Sequence, residues 1–184
     1  DIIVGGKMIL TDKDGAAIIL RNLIPNSPLQ NGLSISIEDR ADGNDDITGS
    51  SGLDILLGGG GNDTLRGNAG SDVLLGDFGK VGLSSNLVAQ EVFTEFDLSS
   101  ANGTDVLEGG LGGDILIAGG GIAGQTESIT DLEGSNVALG DFGLASGARM
   151  LDAVSLVESF ASPNGYSDRI TTGRGNDIQV GGEG

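Results

Sequence analysis

The 184-residue chain carries 27 acidic and 9 basic residues, a formal net charge of −18, with no cysteine and no histidine. That balance excludes nucleic acid and anionic membrane surfaces as partners, because like charges repel. It also excludes disulfides, thiolate zinc sites and thiol catalysis, and it removes the commonest general base and transition-metal ligand. The remaining donors are oxygens, which suit hard cations.

Glycine (35 residues) and proline (3) together make roughly 21% of the chain, below the level of low-complexity disorder. Leu, Ile, Val and Phe make roughly 29%, enough to build an apolar interior, so a folded acidic chain is expected. No apolar run approaches the length of a transmembrane span, and membrane insertion is not expected.

The opening Asp1-Ile2-Ile3-Val4-Gly5-Gly6 nearly repeats Asp177-Ile178-Gln179-Val180-Gly181-Gly182. Residues 1–6 therefore read as a partial repeat, and the whole as a segment of a longer array. Residues 7–39 form an aperiodic insert. There Met8-Ile9-Leu10 and Ala16–Leu20 flank Thr11-Asp12-Lys13-Asp14-Gly15 as a predicted β-hairpin, and Ser34-Ile35-Ser36-Ile37 alternates like a strand. Asp12, Asp14 and Gly15 are explained by turn chemistry, since the later Glu of a helix-loop-helix calcium loop is not in place.

Residues 40–75 hold four unbroken nine-residue blocks, clearest in GGGGNDTLR and GNAGSDVLL between Gly58 and Leu75. Each has small residues first, an Asp sixth (Asp45, Asp54, Asp63, Asp72) and a large aliphatic residue eighth. A fixed short period of this kind predicts a stacked, coiled architecture. A second insert covers 76–100, with Val92–Phe96 its most strand-like piece. The period returns over 101–139 with Asp105 and Asp114, slips by four residues, and resumes with Glu127 and Asn136 in the acid position. A third insert, 140–164, opens on Gly140-Asp141-Phe142-Gly143, a copy of Gly76-Asp77-Phe78-Gly79. Its stretch Met150–Phe160 is expected to be strand. Residues 165–184 close the series with Asp168 and Asp177. The whole is expected to be one segment, 1–184.

The last three residues of each block read as a short strand whose eighth residue faces inward and whose seventh and ninth face out. The inward set is Ile47, Leu56, Leu65, Leu74, Leu107, Leu116, Ile129, Ala138 and Ile170, broken only by Gln179. The outward pairs alternate along the chain. Asp46/Thr48, Thr64/Arg66, Val106/Glu108, Ser128/Thr130 and Arg169/Thr171 each hold a polar residue; Ile55/Leu57, Val73/Leu75, Ile115/Ile117, Val137/Leu139 and Ile178/Val180 are wholly apolar. If two blocks make one coil, alternate blocks stack into the same sheet, and one sheet has an apolar outer face. Every insert follows an apolar-faced strand, so the inserts are expected to leave one side of the stack and fold over that face as a second β layer. The alternative is that another chain or a neighbouring segment covers it.

The blocks resemble the calcium-binding nonapeptide GGxGxDxUx of RTX (hemolysin-type) proteins, U being a large aliphatic residue. The resemblance implies an all-β fold, a parallel β-roll or β-solenoid, several Ca2+ ions and an extracellular, secreted or cell-surface setting. In similar rolls each ion sits between loops one coil apart. Carried over, the metal set is Asp45, Asp54, Asp63, Asp72, Asp105, Asp114, Asp168, Asp177 and Glu127, with Gly58, Gly59, Gly61, Gly109, Gly110 and Gly112 as the best-kept loop glycines. Alternate acids form two ladders: Asp54, Asp72, Asp114, Asn136, Asp177, expected to be the more regular, and Asp45, Asp63, Asp105, Glu127, Asp168. Asn136 and Glu127 depart from the family residue and Leu132 replaces a glycine, which weakens sites there. Asp77 and Asp141 stay open between extra ligands and turn residues.

One Asp in a Gly-rich loop is explained by the turn it solvates. Eight at one phase in a stacked fold repel one another unless cations lie between them. The expected role is a calcium-dependent structural module, with neighbouring segments or identical chains as partners and no catalytic residue. A non-catalytic accessory module of a secreted hydrolase or lyase, or an adhesin or ice-binding face, are the alternatives. Against the last, Thr48, Thr64, Thr130 and Thr171 are scattered among charges rather than ranked.

Overall fold

The structure is a computed structural model that describes residues 2–4, 8–12, 33–37, 43–83, 89–94, 102–147, 156–160 and 167–182. Among these residues every regular element is a strand, and no helix is long and apolar enough to cross a membrane.

Two sheets are parallel throughout. The first runs β1 (Ile2–Val4), β5 (Ile55–Leu57), β7 (Val73–Leu75), β11 (Ile115–Ile117), β13 (Val137–Leu139) and β17 (Ile178–Val180), in that spatial order. The second runs β4 (Asp46–Thr48), β6 (Thr64–Ala69), β10 (Val106–Leu111), β12 (Glu127–Thr130) and β16 (Asp168–Thr171). Alternate blocks therefore share a sheet, and the register keeps like positions together: Leu56 opposite Leu74, Leu74 opposite Leu116, Ile47 opposite Leu65 and Leu65 opposite Leu107.

Those eighth-position residues are the interior between the two sheets. Leu56, Leu74, Leu116 and Ala138 from one meet Ile47, Leu65, Leu107 and Ile129 from the other, with Ala118 added. At about 25 cal/mol per Å² of apolar surface removed from water, a run of fully buried Leu and Ile is the main term favouring the stack. Gln179, the one polar residue in the series, is exposed at the end of the first sheet and donates to Thr172 Oγ1.

The outer faces differ. The second sheet alternates exposed, buried, exposed across Asp46–Thr48, as a half-wetted strand should. In the first sheet all three residues of β5, β7, β11 and β13 are buried. The cover is a third, antiparallel sheet in which β2 (Met8–Asp12), β3 (Leu33–Ile37), β8 (Gly79–Leu83), β9 (Ala89–Thr94), β14 (Gly143–Ser146) and β15 (Leu156–Ser159) lie side by side. Each insert supplies two of these strands. Val81, Leu83, Val92 and Ala145 pack on Ile55, Leu57, Val73, Leu75, Ile115, Ile117, Val137 and Leu139.

The predicted hairpin turn is corrected at its first two residues. Thr11 and Asp12 belong to β2 rather than to a turn, and among the described strands β2 pairs with β3, with Met8 opposite Ile37. Ala16–Leu20 and the proposed turn residues Lys13, Asp14 and Gly15 lie outside the described residues.

Candidate metal centre

Each sixth-position acid immediately precedes its strand or, at Glu127 and Asp168, opens it, so its backbone is fixed by the parallel ladder. The carbonyls of Asp54, Asp72 and Asp114 accept from Val73, Ile115 and Val137 N–H at 2.9, 2.9 and 2.8 Å. The side chains then lock to one another along the stack. Asp72 Oδ1 accepts from Asp54 N–H at 2.8 Å, Asp114 Oδ1 from Asp72 N–H at 2.7 Å, Asn136 Oδ1 from Asp114 N–H at 2.8 Å, and Asp177 Oδ1 from Asn136 N–H at 3.1 Å. In the second ladder Asp63 Oδ1 and Asp105 Oδ1 accept from Asp45 and Asp63 N–H, each at 2.8 Å. There the series stops. Glu127 is buried, and neither of its carboxylate oxygens accepts a hydrogen bond.

One oxygen of Asp63, Asp72, Asp105, Asp114 and Asp177 is thus spent on the backbone, and in Asp54 it is Oδ2, which accepts from Ser50 N–H at 2.7 Å. The other, Oδ2 of Asp72, Asp105 and Asp114, is buried without a hydrogen-bond donor. The first-position glycines show what it faces. A Cβ on Gly67 would stand 2.4 Å from Asp72 Oδ2 and 2.6 Å from the Gly109 carbonyl oxygen. On Gly76 it would stand 2.3 Å from Asp105 Oδ2 and 2.5 Å from the Ala118 carbonyl oxygen, and on Gly58 2.4 Å from both Asp63 Oδ2 and the Gly76 carbonyl oxygen. A carboxylate oxygen and a carbonyl oxygen from the next coil therefore converge on one small volume that only glycine leaves open. Buried oxygens of this kind, with no nitrogen or sulfur among them, are the donor set of calcium.

Gly58 and Gly109 serve by this clearance, whereas Gly59, Gly61, Gly110 and Gly112 sit at φ +111°, +118°, +114° and +131°. At Gly112 the backbone of the previous coil is also close: a Cβ would lie 1.4 Å from the Gly70 carbonyl oxygen. Of the acids, Asp54, Asp63, Asp72, Asp105, Asp114 and Glu127 are buried, and Asp45, Asp168 and Asp177 partly so.

Burial in this ring of like charges pushes carboxyl groups upward. Burial, then the charges of Asp114 and Asp54, raises Asp72 to about 6. Asp114 rises to about 7 through burial and the neighbouring Asp131, and Asp168 to about 7 through burial and Asp141. Glu127 is pushed to about 10 by burial and then by Asp105, Asp77, Asp168 and Asp141. Each group resists ionising where no cation is at hand.

Two acids that sequence reasoning did not assign join the set. Asp131 stands first in its block, where the motif has glycine, and its Oδ2 would lie 2.1 Å from a Cβ on Gly109, beside Asp114 Oδ2 at 2.6 Å. It brings a carboxylate to the part of the ladder where Asn136 lacks one. Asp77 is buried and accepts from Gly120 N–H at 2.6 Å and Gly103 N–H at 3.3 Å. Its carboxylate, with those of Asp105 and Glu127, forms a buried group whose nearest oxygens all lie within 4.8 Å of one another. The signal for both was an acid in a glycine position.

A family model described as the RTX calcium-binding nonapeptide repeat (4 copies) matches residues 41–79, 99–121 and 164–184. No curated protein and no solved structure matches the chain. The nine-residue period, the parallel all-β build and this match together identify RTX calcium-binding nonapeptide repeats at residues 41–79, 99–121 and 164–184 of the chain.

Proposed function

We propose that the chain is a calcium-stabilised structural module of a secreted or cell-surface protein, its parallel sheets forming an RTX-type β-roll that folds as calcium arrives. The observation that carries this reading is the division of labour within Asp72 and Asp105: Oδ1 accepts from the backbone of the neighbouring coil or loop one coil away, and Oδ2, buried beside a carbonyl oxygen, meets no donor and is left for a cation. Bound calcium would neutralise the stacked carboxylates. The residues to hold it are Asp54, Asp72 and Asp114 with Asp131 along one edge, and Asp63, Asp105, Glu127 and Asp168 along the other, assisted by loop carbonyls. Metal-binding free energy then becomes folding free energy. Extracellular calcium modules bind at about 10⁻⁴–10⁻³ M, so such a chain stays empty in a calcium-poor cytoplasm and folds on export.

The role is mechanical rather than catalytic. The buried acids are accounted for by the repeat, and there is no histidine or cysteine to pair with them. Neighbouring repeats, or a second copy, are the partners that fit the edge strands β16 and β17, where Ile178 is 43% exposed.

Far-ultraviolet circular dichroism at pH 7.5 tests the reading. Chelation is expected to abolish most of the β signal, and calcium to restore it cooperatively. A spectrum indifferent to EDTA would overturn it.

A further inference from the structure

Among the described residues Asn102 alone is an asparagine followed by glycine, and it stands where the chain re-enters the stack after the 76–100 insert. In an Asn-Gly pair the glycine nitrogen reaches the asparagine side chain unhindered, because the glycine carries no Cβ. That nitrogen loses its proton to the solvent and attacks Cγ. The new N–Cγ bond closes a succinimide ring as the Cγ–Nδ2 bond breaks and ammonia leaves. Water then opens the ring at either carbonyl, giving aspartate or isoaspartate. The balance is water in and ammonia out, with no change of oxidation state.

The folded chain opposes each part of this reaction. Asn102 is 7% exposed, and its Nδ2 lies 2.4 Å from where a Cβ on Gly120 would stand. Gly103 N–H, which must ionise, donates to Asp77 Oδ1 at 3.3 Å. An amide anion beside that carboxylate is disfavoured by like charge. The pair also lies hard against the previous coil. A Cβ on Gly103 would stand 1.5 Å from the Gly61 carbonyl oxygen, and Thr104 N–H is held by Asn62 Oδ1 at 2.8 Å. Ring closure needs Cγ turned onto the Gly103 nitrogen, and this backbone has no room to turn.

We propose that Asn102-Gly103 is a modification site, deamidated by water while the coil is open and shielded once it closes. The mark runs one way. Aspartate places a further negative charge next to the N–H that holds Asp77, and isoaspartate adds a methylene to the backbone where the Gly61 carbonyl leaves no space. Either product makes this coil harder to close, so a chain left unfolded gradually loses the ability to fold. The link to calcium rests on the reading above, in which calcium closes the coils.

The full chain is incubated in mildly alkaline buffer with calcium, with EDTA or with urea. Peptide mapping follows conversion of Asn102, and circular dichroism follows the fold in parallel. Asn31-Gly32 and Asn164-Gly165 are the chemical references, and in urea all three pairs are expected to react alike. In calcium the Asn102 rate is expected to fall more than about tenfold below its rate in urea, because reaction then waits for local opening. Equal rates in calcium and urea, with the β signal intact in calcium, overturn the proposal and leave the calcium reading standing. A chain that keeps both its β signal and its slow rate in EDTA overturns the calcium reading and leaves the shielding in place. Chain converted at Asn102 in urea and returned to calcium is expected to need more calcium to regain its β signal; recovery at the midpoint of unconverted chain overturns the one-way mark.

Discussion

The half of the stack built on Asp54, Asp72 and Asp114 and the half built on Asp45, Asp63 and Asp105 share a period, a core and a parallel register, yet they differ on both surfaces that matter. The first has loops without inserts, a side-chain chain unbroken from Asp54 to Asp177, and an outer face sealed by the third sheet. The second is interrupted by the inserts, loses its self-capping at Glu127, and turns Thr64, Arg66 and Glu108 to water. Uninterrupted loops hold each aspartate at one height above the next, so Oδ1 always finds an N–H. In the second half the self-capping survives the 76–100 insert, with Asp105 Oδ1 accepting from Asp63 N–H, and fails at Glu127 and Asp168.

The largest expected effect is the pH dependence of the calcium-free protein. These acids have raised folded-state values, so in chelator the stability they permit is whole below pH about 4 and is lost as pH rises through those values. The first half should fail as Asp72 at about 6 and Asp114 at about 7 ionise. The second should go on losing stability past Asp168 at about 7 towards Glu127 at about 10. Thermal melts in EDTA from pH 4 to pH 9 are expected to show falling midpoints. Asp72→Asn should remove the early part of the fall and Glu127→Gln the late part. In saturating calcium the sign reverses, because binding needs the ionised form. A calcium-free protein more stable at pH 8 than at pH 5 would break the comparison.

A smaller effect separates the two outer faces. Ile115 is fully buried under the third sheet, whereas Val106 on the second sheet is 36% exposed. Replacing Ile115 by Thr removes apolar volume and buries a hydroxyl, for an expected loss of about 2–4 kcal/mol. The same change at Val106 should stay within about 0.5 kcal/mol. Denaturant melts of both variants in saturating calcium decide it; equal losses would mean the faces are not distinct.

Much of this contrast was legible before any coordinates, because it is written in two local periods. The nine-residue period places Asp54 above Asp72, and the two-residue period turns Ile55 and Leu57 to one side and Leu56 to the other. Neither period reaches across space. The pairing of Met8–Asp12 with Leu33–Ile37, and of β3 with β8, depends on contacts between inserts that no local pattern encodes. Asp77 and Asp131 were harder still. Each stands in a glycine position, so the motif marks it as a defect, and only the height of the next coil shows that its carboxylate meets Asp105 or Asp114.

The smallest expected effect lies on the wetted face. Arg66 on β6 bridges its two neighbouring strands, contacting Asp46 and, at 3.3 Å through Nε, Glu108. The Asp46 and Glu108 side chains are 73% and 50% exposed, so water screens both contacts. Arg66→Ala is therefore expected to cost no more than about 1 kcal/mol in saturating calcium, and less as salt is added. At about 0.5 M salt, where the screening length is only a few ångströms, wild type and variant should melt together. A loss that survives salt would mean that the guanidinium and its alkyl stem hold the strands by packing. The second half would then be tied together across its outer surface much as the first is by its cover, and the asymmetry drawn here would rest on the ladders alone.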